Sequence, residues 1–300
     1  MKRILRAIGL VLILCMLFAM VGCSGNQKKV IIASKQFTEN ILLSEMYSQL
    51  VEANTDLKVE RKQNLGGTSV CFPAMEKAEI DIYVEYSGTA YAEILKLSND
   101  GTVTSDGVYD AVQSKLASDY HITMFEPIGI NNTYALGMLH SVSEELDISS
   151  MSDLTSLSPN LRFGANHVFY TRELDGYDAM MARYGYNFSA SEKMDSSLLY
   201  EAIAQKQLDV IIIYATDSLL VKYDMTILKD DLSLFPAYHG APICRNATLE
   251  TYPELNDVLN KLAGFIDDST MQQLDYQVDV EHKTVEAVAK QFLTEQGLVK

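Results

Sequence analysis

Two short stretches of this chain repeat one arrangement, and the repetition limits the folds open to it. Asp81-Ile82-Tyr83-Val84-Glu85-Tyr86 and Asp209-Val210-Ile211-Ile212-Ile213-Tyr214 each run from an acidic residue through an apolar strand to a tyrosine. Small residues follow both, Ser87-Gly88-Thr89 in the first and Ala215-Thr216-Asp217 in the second. A helical pattern precedes each stretch, and a short apolar run bounded by turn residues reads as a buried strand. Ligands of open α/β sheets collect beyond the carboxyl ends of strands. A tyrosine placed there twice therefore predicts a cleft between two facing sheets.

The surrounding pattern is strand, loop, helix, repeated. Residues 30–33 are predicted as a strand, and Thr38 as the cap of a helix in which Leu43, Met46, Tyr47 and Leu50 recur at helical spacing. A strand over 56–65, a turn at Gly66-Gly67, a helix over 70–78, a strand over 80–86 and a helix over 89–96 follow. The second set has a strand over 161–164, a long loop over 165–172, helices over 178–184 and 198–205, and a strand over 209–214. Such alternation predicts an α/β fold with largely parallel sheets. Residues 125–137, with Pro127, Gly129 and Asn131-Asn132, and residues 234–244, with Pro236, Gly240 and Pro242, read as two interdomain crossings. The expected division is a first lobe from 30–130 and 236–300 and an inserted second lobe from 131–235, with helices over 254–267 and 285–292 returning to the first.

The N-terminus predicts where the chain lives. Lys2, Arg3 and Arg6 precede an apolar run from Ala7 to Val21, too short for the ~20 residues of a spanning helix. Residues 1–22 therefore read as a secretory signal. The ending Met20-Val21-Gly22-Cys23 resembles a bacterial lipobox, which implies acylation of Cys23 and a tether over 23–29; an ordinary cleaved signal with an incidental cysteine is the plainer reading. No later apolar run approaches ~20 residues, so the chain is not itself a permease. The expected location is the extracytoplasmic face of the bacterial cell membrane, held by lipid.

Charge and composition exclude other classes. The formal charge is -16, and loss of the three basic residues of the signal takes it to -19, which argues against nucleic acid as a partner. The five His and four Cys show no CxxC and no His pair at i,i+4, so no metal site is expected. Cys71 and Cys244 are read as a disulfide or as two buried thiols. Neither a nucleophile elbow nor a phosphate-binding loop is present, and no cofactor is expected. Binding has more behind it than catalysis. Tyr86, Tyr134, Tyr214 and Tyr238 fall at two strand ends and two crossings, in a chain with 17 Tyr and no Trp, although any one of them alone reads as a structural tyrosine.

These residues, with Ser34-Lys35-Gln36-Phe37-Thr38-Glu39, Glu85-Tyr86-Ser87-Gly88-Thr89, Asn132-Thr133-Tyr134-Ala135, Tyr214-Ala215-Thr216-Asp217 and Phe235-Pro236-Ala237-Tyr238, resemble the solute-binding proteins of osmoprotectant ABC importers along nearly the whole mature chain. The resemblance implies a two-lobed type II periplasmic binding protein fold with the ligand cleft between the lobes. It implies a monomer, a permease partner, and ligands such as glycine betaine, carnitine, choline and proline betaine. It places Tyr86, Tyr134, Tyr214 and Tyr238 in an aromatic box. A trimethylammonium group has no N–H to donate, and ring faces attract its diffuse charge by roughly 0.5 to 2 kcal/mol each. Gln36, Thr89 and Asn132 are implied at the polar side and Arg172 on a ligand carboxylate. Helix-end capping is the competing reading for Gln36 and Thr89, and a salt bridge to Glu173 or Asp175 for Arg172. Two other functions fit less well: a surface hydrolase of choline-containing compounds, with His239 as its candidate base, and a binding protein for amino acids or polyamines, which predicts Asp or Glu lining the pocket in place of a full tyrosine set.

Overall fold

The computed structural model describes residues 28–97 and 103–299. The expected signal over 1–22 and the acylated Cys23, with the tether up to residue 27, lie outside the described residues. Two five-stranded sheets carry the fold. The first has the order β2-β1-β3-β10-β4, formed by β1 (Lys29–Ala33), β2 (Lys58–Lys62), β3 (Ile82–Tyr86), β4 (Ile122–Met124) and β10 (Gly240–Arg245). The second has the order β7-β6-β8-β5-β9, formed by β5 (Tyr134–Leu139), β6 (Arg162–Ala165), β7 (Ala190–Lys193), β8 (Val210–Tyr214) and β9 (Met225–Leu228).

Both sheets are mixed, which corrects the expectation of largely parallel ones. β1, β2 and β3 run parallel, as do β6, β7 and β8. β10 enters the first sheet antiparallel to β3 and β4, and β5 enters the second antiparallel to β8 and β9. The cause is the double passage of the chain. Each crossing delivers one strand directly into a sheet beside its tyrosine strand, with no crossover helix to return it parallel.

The crossings lie between Met124 and Tyr134 and between Leu228 and Gly240, and they touch at an antiparallel bridge of Asn131 with His239. The Tyr238 N–H donates to the Asn131 side-chain oxygen at 2.7 Å, and the Asn132 N–H donates to the Tyr238 carbonyl at 3.2 Å. This two-strand waist joins the two cores. One core packs Ile32, Leu43, Met46, Leu259 and Phe292 on the first sheet, so the C-terminal helices Asp268–Asp279 and Val285–Glu295 lie against the helix Thr38–Asn54. Cys71, Met75, Val112 and Leu116 cover its other face. The second sheet is enclosed by Leu136, Phe163, Phe169, Ile211 and Leu228.

Several local expectations shift. Thr38 does not cap its helix: Phe37 takes the extended cap position, and the Thr38 hydroxyl donates to Asp279 at 2.6 Å. The helix expected to start at Thr89 starts at Ser87 and widens into a π-turn over Ala90–Ile94. Cys71 and Cys244 are buried free thiols, and burial pushes the Cys71 thiol up to about 11. Among the described residues, no helix is long and apolar enough to cross a membrane.

Candidate functional site

The antiparallel entries of β5 and β10 bring the tyrosines together. Tyr214 ends β8 and pairs in register with Tyr134, the first residue of β5, so the two side chains emerge as direct cross-strand neighbours. Tyr86 ends β3 opposite Gly240, the first residue of β10, and Tyr238 stands just ahead of that strand on the crossing. All four tyrosines line one cavity of about 650 Å³, within the range of small-molecule sites.

The rings of Tyr134 and Tyr214 stack at 4.8 Å and 28°, with their hydroxyls 3.1 Å apart. Phe169 and Phe235 back Tyr134 from the core at 5.5 and 6.3 Å. The ring of Tyr238 lies against Gly88, where a Cβ would meet its Cδ1 and Cε1 at 2.7 Å. Burial raises the phenols of Tyr86, Tyr214 and Tyr238 above their ordinary value, so these rings are neutral at physiological pH. Neutral phenol faces attract cations through the ring quadrupole.

Two of the faces already carry a cation of the chain itself. The Arg172 guanidinium stands 5.0 Å over the Tyr134 ring, donates to the Tyr238 hydroxyl at 3.1 Å, and forms a forked ion pair with Asp175, at 2.7 and 2.5 Å. Arg172 thus makes the salt bridge to Asp175 that was its competing reading, and it also lines the cavity. Lys35 stands 4.9 Å over the Tyr86 ring and is ion-paired with the fully buried Glu85.

The remaining expected residues divide. Thr89 and Asn132 line the cavity, and Asn132 Nδ2 donates to Glu39 Oε1 at 3.0 Å. Gln36 is exposed and is not among the lining residues, whereas its neighbours Lys35 and Phe37 are. Sequence reasoning missed a wall of carboxylates. Glu39, Asp217, Asp275 and Asp279 line the cavity with Thr216 and Ser218. Glu39 Oε1 accepts from the Tyr86 hydroxyl as well as from Asn132. Its buried Oε2 has no hydrogen-bond partner; Thr216 is close enough to favour the anion without the geometry of a bond. Oδ1 of Asp275, also buried, has no partner either. Burial first, and neighbouring carboxylates second, push the Asp275 carboxyl well above its ordinary range, and burial raises Glu39 and Asp217 as well. The signal for Glu39 was present, three residues after Gln36 in a quoted motif. Nothing local in the sequence marks Asp275, which reaches the cavity from a helix nearly 200 residues away from Tyr86.

Among the described residues no cluster of His, Cys, Asp and Glu has the arrangement of a metal site. The cavity presents neutral ring faces and carboxylates, groups that attract a small cation.

Comparison with known proteins agrees with this geometry. The chain is 31% identical over 274 residues to the carnitine transport binding protein OpuCC of Listeria monocytogenes, covering 91% of this chain and 88% of that one. A glycine-betaine-binding protein of Pseudomonas aeruginosa is 30% identical, with 89% and 88% covered. The ergothioneine transport permease/ergothioneine binding protein EgtU of Helicobacter pylori is 31% identical over 91% of this chain, which spans about half of that relative, 48%. The crystal structure of a glycine betaine/carnitine/choline ABC transporter superposes with a TM-score of 0.86 at 29% identity, covering 91% of this chain and 99% of that one. The chain shares the two-lobed α/β architecture of its structural neighbours. The family model for the substrate-binding domain of ABC-type glycine betaine transport systems, OpuAC, matches residues 28–295, and the chain belongs to that family.

Proposed function

We propose that the protein captures quaternary ammonium solutes, of which glycine betaine, carnitine, choline and proline betaine are representatives, and delivers them to an ABC importer permease. The observation that carries this reading is the convergence of Tyr86, Tyr134, Tyr214 and Tyr238 on one cavity from the ends of both sheets. Methylated ammonium cannot be held by hydrogen bonds, and neutral ring faces supply roughly 0.5 to 2 kcal/mol each as it is desolvated. The cleft geometry supports a ligand touched by both lobes, which is what couples binding to closure. In this reading the first lobe comprises residues 30–130 and 236–300 and the second 131–235. The mature chain works as a monomer on the extracytoplasmic membrane surface, acylated at Cys23.

The carboxylate wall favours one further class of cation, polyamines, whose N–H groups need acceptors. Calorimetric titration separates the two. The expected result is micromolar or tighter binding of at least one of the four quaternary solutes and no comparable binding of putrescine or spermidine. Binding of the polyamines alone overturns the assignment. Intact recovery of choline esters and phosphocholine after incubation is the matching expectation for a carrier that is not a hydrolase.

A further inference from the structure

The ring faces account for one end of a solute and leave the carboxylates that share the cavity with them unexplained. Glu39 and Asp275 are both buried and both line the cavity, at 3% and 5% exposure, and each keeps one oxygen with no hydrogen-bond partner. Buried polar atoms in folded proteins are nearly always satisfied, and an unsatisfied one points to a missing donor. The chain directs its own nearby cations elsewhere. Lys35 is committed to Glu85 and Arg172 to Asp175. The charged neighbours that bear on Asp275 are Glu39, Asp279 and Asp217, all acidic. A solute carboxylate placed against this wall is repelled, and a hydroxyl or N–H placed there finds two open acceptors.

We propose that Glu39 and Asp275 form an acceptor station for a hydroxyl or N–H carried by the solute itself, so that the site selects methylated ammonium compounds bearing such a donor over otherwise equal compounds without one. The proposal rests on the quaternary ammonium reading and refines it. It divides the cavity into two jobs. Tyr134, Tyr214 and Tyr238 hold the methylated head, and the helices Thr38–Asn54 and Asp268–Asp279 present acceptors to the rest of the molecule.

The test uses two pairs of probes, each pair matched in charge and nearly in size and differing by one hydroxyl: choline against ethyltrimethylammonium, and carnitine against γ-butyrobetaine. Affinities are measured by calorimetry for the wild type and for Asp275→Leu. The hydroxylated member of at least one pair is expected to bind fivefold tighter or more, because its partner without the hydroxyl leaves a buried acceptor unpaired, which costs about that factor or more. In Asp275→Leu the ratio is expected to fall below fivefold. Ratios below fivefold in both wild-type pairs overturn the proposal, as they would if the two carboxyls simply shared a proton. A ratio that stays at fivefold or more in Asp275→Leu overturns it too. If Asp275→Leu does not fold, Glu39→Met, which removes the other acceptor, is read by the same criterion, and the wild-type ratios stand without any variant. Binding of none of the four probes removes the quaternary ammonium reading itself, whereas binding without discrimination removes only the acceptor station.

Discussion

Replacing Tyr214 by Ala removes the ring that is most nearly free to act on a ligand. Tyr214 is 39% exposed, ends β8 at the cavity, and packs on Tyr134 at 4.8 Å. Two losses follow for the bound state. One is a cation–π contact of about 0.5 to 2 kcal/mol. The other is the support that the stacked pair gives Tyr134, about 0.5 to 1.5 kcal/mol. A combined loss near 1.4 kcal/mol or above weakens binding at least tenfold. The fold loses little, because the side chain is partly in solvent and its backbone lies in an antiparallel ladder that alanine also satisfies. Tyr214→Phe keeps the face and deletes only the 3.1 Å contact with the Tyr134 hydroxyl, so its affinity should fall by less than threefold. Calorimetry with a quaternary solute, beside a thermal melt of each variant, provides the measurement. Wild-type affinity in a well-folded Tyr214→Ala protein would falsify the participation of this ring and, with it, the reasoning from strand register to binding wall.

Gly88→Ala is expected to weaken ligand binding tenfold or more and to lower the melting temperature, since its Cβ would enter the Tyr238 ring at 2.7 Å, approach the Ala237 carbonyl at 3.1 Å and drive that ring from the wall; unaltered calorimetric affinity refutes the wedge. Lys35→Met leaves the fully buried Glu85 without its cation, although Thr68 and Tyr83 still donate to it at 3.0 and 2.9 Å, and should cost about 3 to 5 kcal/mol in urea unfolding; a loss below 1 kcal/mol refutes this. Acidification should stabilise the ligand-free protein. Glu39, Asp217, Asp268 and Asp275 ionise above their ordinary values of 4.5 and 3.8, chiefly through burial, so the folded chain holds protons that the unfolded chain releases. Stability then falls as pH rises from those ordinary values through the raised ones, so the melting temperature at pH 5.5 should exceed that at pH 7.5, less so in Asp275→Asn, and the opposite slope contradicts it.

The sequence made half of this site legible because strand ends and tyrosines are local features. Asp81–Tyr86 and Asp209–Tyr214 could be read as strands from their own apolar runs, and β3 and β8 stand within a residue or two of those readings. β5 and β10 were hidden by their punctuation. Pro127, Gly129 and Asn131-Asn132 mark the first crossing so strongly that the strand beginning at Tyr134 was absorbed into it. Pro242 argues against a central strand, yet it lies opposite Val84 in β10. Its carbonyl accepts from the Phe125 N–H at 3.0 Å, so its nitrogen faces the same side, where β4 has already ended at Met124 and no ladder bond is due. The acidic wall was out of reach for a different reason. Asp275 sits on an amphipathic helix that also carries Asp268 and Asp279, and only the docking of that helix against Thr38–Asn54 buries it at the cavity.

The division of charge between the lobes bears on how the cleft closes. Glu39, Asp275 and Asp279 belong to elements packed on the first sheet, whereas Asp217 follows β8 of the second. The Asp279 charge disfavours ionisation of Asp217 across the cleft, and both act on Asp275. Polar ties join the two sides: Ser218 donates to Asp279 at 2.9 Å, Gln272 to the Ala215 carbonyl at 2.6 Å, Asn132 to Glu39 at 3.0 Å and Arg172 to the Tyr238 hydroxyl at 3.1 Å. Bringing carboxylates together over an empty cavity opposes those hydrogen bonds. A bound cation reverses the sign of that interaction in the closed state and has far less effect when the lobes are apart. Only such a difference in affinity between states can drive closure. Under the proposed function the positive charge of the solute would be recognised twice, once by the ring faces and once by the acidic residues whose mutual repulsion it would cancel. A neutral molecule of the same shape would meet the rings without supplying the second effect, and the lobes would gain much less by closing on it.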